Sequence, residues 1–130
     1  MAKLEHYVLG QWQSGHCAGM PLLSAVDGAA VASITSDGLN FGEVLGYARD
    51  VGGKALRKYT FHERALMLKA VAQHLNDKKA DLYKLSTETG ATRKDSWIDI
   101  DGGIATMFVY SSKGRREMPN STVYLDGPPE

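Results

Sequence analysis

The stretch "GATRKDSWIDIDGGI", Gly90 to Ile104, holds three aspartates and a Gly-Gly pair, a composition shared by metal loops, phosphate loops and helix starts. A calcium loop needs oxygen ligands at alternate positions and a late bidentate acid, and the spacing of Asp99 and Asp101 fails that pattern. The pair Gly102-Gly103 follows no strand and carries no adjacent Lys-Ser/Thr, as a phosphate loop requires. We therefore interpret the stretch as the beginning of a helix.

This helix is expected to extend to roughly Arg116. Thr92 can cap it, with an acid three residues later. Asp95, Asp99 and Asp101 are expected to favour its N-terminal half through the helix dipole and solvation. Apolar residues then recur every three or four positions, at Trp97, Ile100, Ile104, Met107 and Phe108. Two internal glycines cost about 1 kcal/mol each relative to alanine, so close approach of another backbone or of a ligand is expected there.

The preceding stretch predicts three more helices. Thr60 and Glu63 form a capping-box pattern, followed by apolar residues at helical spacing, namely Phe61, Ala65, Leu68, Ala72 and Leu75. Asn76-Asp77 punctuates this helix, and the next one is expected to end at Gly90, a suitable residue for a left-handed cap. Ser36 or Asp37 can cap an earlier helix covering roughly residues 41–51, which Gly52-Gly53 breaks or interrupts.

The first third of the chain predicts short strands joined by turns. We predict four strands, at Tyr7–Leu9, Gln11–Gln13, Leu22–Val26 and Ala30–Thr35. Gly10 marks the first turn, and Asp27-Gly28 between two apolar runs is a strong hairpin signal. One further β-like run lies near the end, at residues 122–125. The fold class is therefore α+β, with hairpins followed by about four helices. The strands are too few and too short to cover the apolar helix faces, so a sheet that belongs elsewhere is expected.

Composition excludes several classes of function. The chain has 130 residues with 15 basic and 15 acidic side chains, and this balance removes the electrostatic drive toward nucleic acid or anionic membranes. No segment approaches the ~20 apolar residues of a membrane span, and the N-terminus lacks a signal-peptide pattern. A single cysteine forms no disulfide framework. A cytoplasmic protein without nucleic-acid or membrane partners is the expectation.

The residues that could carry chemistry do not assemble into a site. Cys17 lies in a predicted loop without an activating base or helix N-terminus, so we expect no nucleophile there. His6, His62 and His74 are scattered and make no metal pair, and His62 is expected at the surface. Trp12 and Trp97 are interpreted as core anchors, because no basic residues interleave with them. The prediction is no catalytic, cofactor-binding or metal-ligating residue.

The order of these elements resembles the N-terminal stretch of the aldehyde dehydrogenase superfamily. The resemblance covers essentially the whole chain and is carried by "VLGQW", "FHERALMLKAVAQHL" and "LSTETGATRKDSWIDIDGGI". The family pattern has a small turn before a tryptophan, an "ER-x-x-x-L" helix, an "E-x-G" helix end and a helix with an acidic pair. Here these correspond to Trp12, Glu63-Arg64, Glu88–Gly90 and Asp99–Asp101.

The resemblance implies that residues 1–130 are an N-terminal segment of a coenzyme-binding domain, an incomplete piece of the fold. The catalytic cysteine, the general-base glutamate, the oxyanion-hole asparagine and the coenzyme site are then expected outside it. Within the family the likeness points to the dehydrogenase half of the bifunctional ring-opening enzymes of phenylacetate catabolism, with the enzymes of benzoyl-CoA degradation next. The implied parent activity is NADP-dependent oxidation of a CoA-linked semialdehyde. The segment itself is expected to be inactive and to bind no cofactor. Its expected partners are the rest of the parent polypeptide and further copies in a homo-oligomer.

Only two residues are assigned to a site through this resemblance. Aligning the acidic pair places Ile98 and Gly102 on the side of the family's substrate tunnel, where relatives often have bulky apolar residues. The resulting hypothesis is that Gly102 and Gly103 widen the tunnel mouth for a CoA-bearing substrate. Tight packing of the helix against a neighbouring segment explains the glycines equally well. The alternative for the whole chain is a stand-alone helical interaction module without enzymatic activity.

Overall fold

The computed structural model describes residues 2–127, which form two small sheets followed by a set of helices. The first sheet has the strand order β1-β5-β4, and the second pairs β2 with β3. The strands are β1 (Ala2–Lys3), β2 (His6–Val8), β3 (Gln11–Gln13), β4 (Met20–Leu23) and β5 (Ala30–Ile34). β1 runs parallel to β5, whereas β4 runs antiparallel to it. The α+β class predicted from the sequence is confirmed.

The β2–β3 hairpin closes through a two-residue loop. Val8 pairs with Gln11, and the intervening Leu9 and Gly10 have φ angles of 54° and 79°. Two consecutive left-handed residues are typical of a type I′ turn, whose twist matches that of the flanking strands. The predicted turn at Gly10 is confirmed. A Cβ at Gly10 would lie 2.7 Å from the hydroxyl of Tyr47, so glycine is also the residue that leaves room for that side chain.

The β4–β5 hairpin is present, but its connection is wider than the Asp-Gly signal predicts. Leu23 pairs with Ala30, which leaves residues 24–29 in the loop. The Ser24 N–H donates to the Ala29 carbonyl at 2.8 Å, and Gly28 takes a φ of 73°. The predicted strand Leu22–Val26 is therefore wrong at its end, because Ser24 already turns the chain. β1 was not predicted, since a two-residue strand has no periodicity.

Four helical stretches follow, as predicted. Their parts are α1 (Phe41–Tyr47), a π-helical segment (Ala48–Gly53), α2 (Lys54–Leu56), α3 (Phe61–Asp77), α4 (Lys79–Thr87), α5 (Arg93–Ser96), a second π-helical segment (Trp97–Asp101) and α6 (Gly102–Arg116). The expected break at Gly52-Gly53 is instead the end of the first π-helical segment, through which the helix continues. Asn40 caps α1 rather than Ser36 or Asp37. None of these helices is long and apolar enough to cross a membrane.

The predicted helix ends at Thr60, Thr92 and Gly90 are confirmed in atomic detail. Thr60 and Glu63 form a reciprocal capping box, with the Thr60 N–H donating to the Glu63 carboxylate at 2.7 Å. The Thr92 hydroxyl accepts a hydrogen bond from the Asp95 N–H at 3.2 Å. Gly90 takes a left-handed φ of 79° shortly after α4, as expected for a glycine at a helix end. Local sequence therefore sets the ends of these helices.

The core lies mainly between α3 and α6. Ala65 and Ala72 of α3 and Ile104 of α6 are buried. The buried Ser111 hydroxyl donates to the Ala65 carbonyl at 2.8 Å, and a Cβ at Gly114 would lie 3.0 Å from that of Ala65. Small side chains therefore let the two helix backbones approach closely. This role of Gly114 was not predicted, because the residue lies in a stretch that looks like a solvated helix end.

The end of the described chain packs against the beginning of α3. The Phe61 N–H donates to the Ser121 carbonyl at 2.9 Å, and His62 Nε2–H donates to the Met118 carbonyl at 2.9 Å. His62 is half-buried, so its prediction as a simple surface residue is wrong. Residues 122–125 are not in a strand, because they do not pair with another segment of residues 2–127.

The described residues enclose only a small core. Their buried apolar side chains are Ala32, Ala65, Ala72 and Ile104. Trp12 and Trp97 are 66% and 59% exposed, so their prediction as core anchors is wrong within this chain. A folded monomer of this mass has about 6,700 Å² of accessible surface, whereas the chain has 9543 Å². The elements are thus well formed, but a large share of their apolar surface has no cover from other parts of residues 2–127.

Candidate functional site

The structure brings the two predicted tunnel residues together. Ile98 and Gly102 line one groove of about 550 Å³, which we call the apolar groove, with walls formed by Trp97 and Phe108. A Cβ at Gly102 would meet no atom within 4 Å, and the same holds for Gly103. Tight packing within residues 2–127 therefore does not explain the Gly-Gly pair. The assignment of the apolar groove to a substrate tunnel stays a prediction.

Gly102 and Gly103 open onto different surfaces of the same helix. Gly103 lines a second groove together with Leu75 and Leu82, whereas Gly102 lines the apolar groove. A π-helical segment directly precedes the pair at Trp97–Asp101, and another includes Gly52-Gly53. Such widened turns occur frequently at functional sites. The two glycines consequently leave space on two sides of α6 at its first turn.

Asp101 anchors this part of the helix to α4. Its carboxylate accepts hydrogen bonds from Lys79 Nζ at 2.6 Å and from the Tyr83 hydroxyl at 2.5 Å. The Lys79 ammonium, followed by the Tyr83 hydroxyl, lowers the pKa of Asp101. The same hydrogen bond raises the pKa of Tyr83, because the carboxylate stabilises the protonated phenol. Asp101 therefore orients the helix segment that carries Ile98 and Gly102.

Sequence reasoning missed this role of Asp101. It assigned the three aspartates to helix-dipole and solvation effects, and Asp95 indeed stays at the helix start, where Thr92 Oγ1 donates to its carboxylate at 2.6 Å. The sequence feature that indicated a carboxylate partner was the pair Lys79 and Tyr83. These residues lie four positions apart on α4 and present two hydrogen-bond donors on one helix face. The relative placement of two helices was needed to bring Asp101 to that pair.

Cys17 is exposed and shares a 3.2 Å hydrogen bond with the Thr35 hydroxyl. This contact is the main cause of a lowered thiol pKa. The neighbouring His6 donates from Nε2 to the Thr35 carbonyl at 2.8 Å, and so its ring is engaged by the backbone rather than by the thiol. The arrangement supplies no base–nucleophile pair of the kind that a catalytic cysteine uses.

The N-termini of α1, α3 and α5 do not suit a dinucleotide phosphate. Asn40, Thr60 and Thr92 each cap their own helix through a side-chain oxygen. The first turns of these helices also carry the carboxylates Glu43, Glu63 and Asp95. A phosphate needs free N–H donors and would be repelled by these charges. These three helix N-termini therefore do not offer a dinucleotide phosphate site, and the expected location of the NADP site outside the segment stays a prediction. Residues 2–127 also hold no cluster of three or more potential metal ligands from His, Cys, Asp and Glu.

The chain is similar in sequence to a known dehydrogenase. The chain is 40% identical over 114 residues to the 3,4-dehydroadipyl-CoA semialdehyde dehydrogenase of Aromatoleum evansii. The chain is related in sequence to a semialdehyde dehydrogenase. The match covers 87% of this chain but only 22% of the relative, so the chain spans about a fifth of that protein's length. No family model matches the chain.

Proposed function

We propose that the chain is the N-terminal segment of the coenzyme-binding domain of an aldehyde dehydrogenase. The observation that carries this proposal is the 40% identity, which extends over 87% of the chain. The parent enzyme would oxidise a CoA-linked semialdehyde, as the name of the relative indicates for that protein. An adipyl chain with an aldehyde end is the kind of product that cleavage of a six-membered ring gives, which agrees with a role in aromatic catabolism.

The finer assignments rest on the resemblance of the sequence motifs. They are NADP as the oxidant, phenylacetate catabolism with a bifunctional ring-opening parent, and a cytoplasmic homo-oligomer. The catalytic residues would come from the part of the parent that has no counterpart here, which is the larger part of the related dehydrogenase. The segment would hold neither catalytic cysteine nor coenzyme and would support the domain that does.

The exposed surface supports this assignment. The excess over an ordinary folded monomer is about 2,800 Å², several times the ~800 Å² that one partner buries in a standard protein–protein interface. The exposed large apolar side chains occur on both the hairpins and the helices, so a single small partner would not cover them. Burial inside a larger domain accounts for surfaces that point in several directions.

A chimeric enzyme tests the proposal. The 114 matched residues of this chain would replace the corresponding residues of the Aromatoleum evansii enzyme, and aldehyde oxidation would be followed by NADPH absorbance with 3,4-dehydroadipyl-CoA semialdehyde. We expect a folded chimera with activity within about tenfold of the relative, because buried contacts in the same fold tolerate volume-conserving changes. A matched chimera carrying Ile104→Asp should be inactive, since it buries an unpaired charge.

The alternative function is a stand-alone helical interaction module. It would give a chimera that does not fold and an isolated chain that is a stable monomer in light scattering. The proposed segment should instead self-associate when purified alone, because it exposes contiguous apolar surface. These two measurements therefore separate the two functions.

Within the parent we propose that the apolar groove forms part of the mouth of the substrate tunnel. Its support is that Ile98 and Gly102 share this groove and that Gly102 leaves it open. Gly102→Leu in the chimera should lower kcat/KM for the CoA-linked aldehyde far more than for a small aldehyde. Gly103→Leu is the matched control, since it faces the other groove. Equal losses for both substrates with Gly102→Leu would contradict this role.

A further inference from the structure

A third groove, which we call the basic groove, lies between α4 and the beginning of α5. It has a volume of about 620 Å³, and its charged lining consists of Lys79, Lys84 and Arg93. The hydroxyl-bearing residues Tyr83, Thr87 and Ser96 complete the polar part of the wall. The lining therefore combines cations and hydroxyl groups, and both kinds of group can donate hydrogen bonds to phosphate oxygens.

The charges of the basic groove are only partly neutralised. Lys79 is paired with Asp101 at 2.6 Å, and Lys84 forms an exposed pair with Asp81 at 3.2 Å. Within residues 2–127, Arg93 forms no ion pair with a carboxylate, and neither does its neighbour Lys94. The Arg93 guanidinium lies 5.4 Å from the centre of the Tyr83 ring, which orients it by a cation–π contact and leaves its N–H groups available.

Neighbouring lining residues connect the basic groove with the apolar groove. Tyr83 and Arg93 also line a small hollow together with Lys94 and Trp97, and Trp97 is in turn a wall of the apolar groove. Asp101 links the two grooves a second time, because it lines the apolar groove and holds Lys79 of the basic groove. A ligand with a phosphorylated end and a long uncharged arm could therefore occupy both grooves at once.

We propose that the basic groove binds the phosphorylated adenosine end of a CoA-linked substrate, with Arg93 as the main phosphate partner and Lys94 contributing from the adjoining hollow. This inference rests on the proposed function, which supplies a CoA-linked aldehyde. The pantetheine arm of CoA then passes Trp97, and the acyl end lies in the apolar groove beside Ile98 and Gly102. Charge complementarity favours this ligand, because Arg93 lines the basic groove without a carboxylate partner among residues 2–127, Lys94 lines the adjoining hollow, and CoA carries three phosphates.

Binding to the 130-residue chain tests the inference directly. Trp12→Phe removes one of the two tryptophans, so that fluorescence reports on Trp97 at the junction of the two grooves. We expect saturable quenching by CoA and about tenfold weaker binding of 3′-dephospho-CoA, because one charge-assisted phosphate contact is lost. Pantetheine alone should not saturate. NADP shares the phosphorylated adenosine, and tighter binding of NADP than of CoA would overturn the assignment to the substrate.

A matched pair of variants separates a specific site from general charge. Arg93→Gln should weaken CoA binding about tenfold, whereas Arg115→Gln removes the same charge from an exposed position near the end of α6 and should leave binding unchanged. Equal effects of both changes would overturn the basic groove as a site. Absence of saturable CoA binding by the unmodified chain would do the same.

The chimeric enzyme distinguishes failure of this inference from failure of the proposed function. In an active chimera, Arg93→Gln should raise KM for the CoA-linked aldehyde about tenfold and leave KM for a small aldehyde unchanged. An active chimera whose KM values do not respond to Arg93→Gln would contradict the basic groove while supporting the dehydrogenase assignment. An inactive chimera together with phosphate-dependent CoA binding by the chain would reject the dehydrogenase and retain the groove.

Discussion

The α3–α6 pair and the helical run of α1, the first π-helical segment and α2 have a similar spacing of apolar residues but different surroundings. Both are amphipathic, with apolar residues every three or four positions. In the first pair, Ala65, Ala72 and Ile104 are buried at the helix contact. In the second, Phe41 and Leu45 are 64% and 52% exposed. Its contacts within residues 2–127 are chiefly between its own consecutive turns.

The difference shows that periodicity predicts an apolar helix face but not the location of its partner. Small residues on facing positions mark a helix pair that closes within the chain, as with Ala65 and Gly114. Large exposed side chains at the same spacing, as in the first helical run, indicate a surface that a larger protein covers. The following predictions test this distinction, beginning with the largest expected effect.

Ile104→Ala should remove a large part of the stability of the α3–α6 pair. Ile104 is only 6% exposed, and truncating a buried isoleucine to alanine costs about 2–4 kcal/mol in lost burial and cavity formation. The free energy of unfolding would be measured by urea titration followed by circular dichroism. Val109→Ala is the control on the same helix, because Val109 is 51% exposed and should cost less than about 0.5 kcal/mol. An equal loss of unfolding free energy for Ile104→Ala and Val109→Ala would mean that the contact between α3 and α6 is not the core.

Gly114→Leu should destabilise the chain, whereas Gly46→Ala should stabilise it. A Cβ at Gly114 would already lie 3.0 Å from the Ala65 Cβ, so a larger side chain must separate the helices, at a cost of about 1–3 kcal/mol. A Cβ at Gly46 in α1 would meet nothing within 4 Å, and alanine there gains roughly 0.5–1 kcal/mol of helix propensity. Thermal unfolding would measure both changes, and the same sign for both would refute the proposed contrast.

Asp101→Asn should remove a pH dependence of stability at both ends of the scale. The pKa of Asp101 is lowered in the folded chain, so its contribution is present above the unfolded value near 4 and is lost as the pH falls through the folded pKa. The pKa of Tyr83 is raised, so its contribution is present below about 10 and is lost as the pH rises further. Melting temperatures from pH 2 to 11 would measure both slopes.

Lys79→Gln provides the check from the other side of the same ion pair. Lys79 is the largest cause of the lowered Asp101 pKa, so its loss should flatten most of the acid slope while the Tyr83 hydrogen bond remains. An acid slope that is unchanged in both variants would show that Asp101 does not anchor the helix in solution.

Features set by neighbouring residues were predictable from the sequence. The capping box at Thr60, the cap at Thr92 and the left-handed Gly90 depend on residues within four positions of each other, and the structure has all three. The four helical stretches and two hairpins follow from the same local patterns. The proposed tunnel residues Ile98 and Gly102 share a groove because they lie four positions apart on one helix face.

Features set by contacts between distant segments were not predictable. Asp101 meets Lys79 and Tyr83 across 22 and 18 residues, and nothing in the sequence fixes the relative position of those helices. The exposure of Trp97 was missed for the same reason, since an apolar spacing does not state whether its partner lies within the chain. The basic groove likewise arises only when α4 and α5 are placed side by side.

The smallest effect expected in the isolated chain is the one that best sharpens the contrast between the two helical regions. Leu45→Ala together with Val51→Ala truncates side chains that are 52% and 48% exposed, so each should cost less than about 0.5 kcal/mol in the isolated chain. Light scattering should also show weaker self-association, because the apolar patch is smaller. In the chimeric dehydrogenase the same helix face should be buried, and the same double change should cost at least about 2 kcal/mol. An equal loss of folding free energy in the isolated chain and in the chimera would mean that this helix face is not buried in the larger protein. The face would then remain exposed and available to a separate protein.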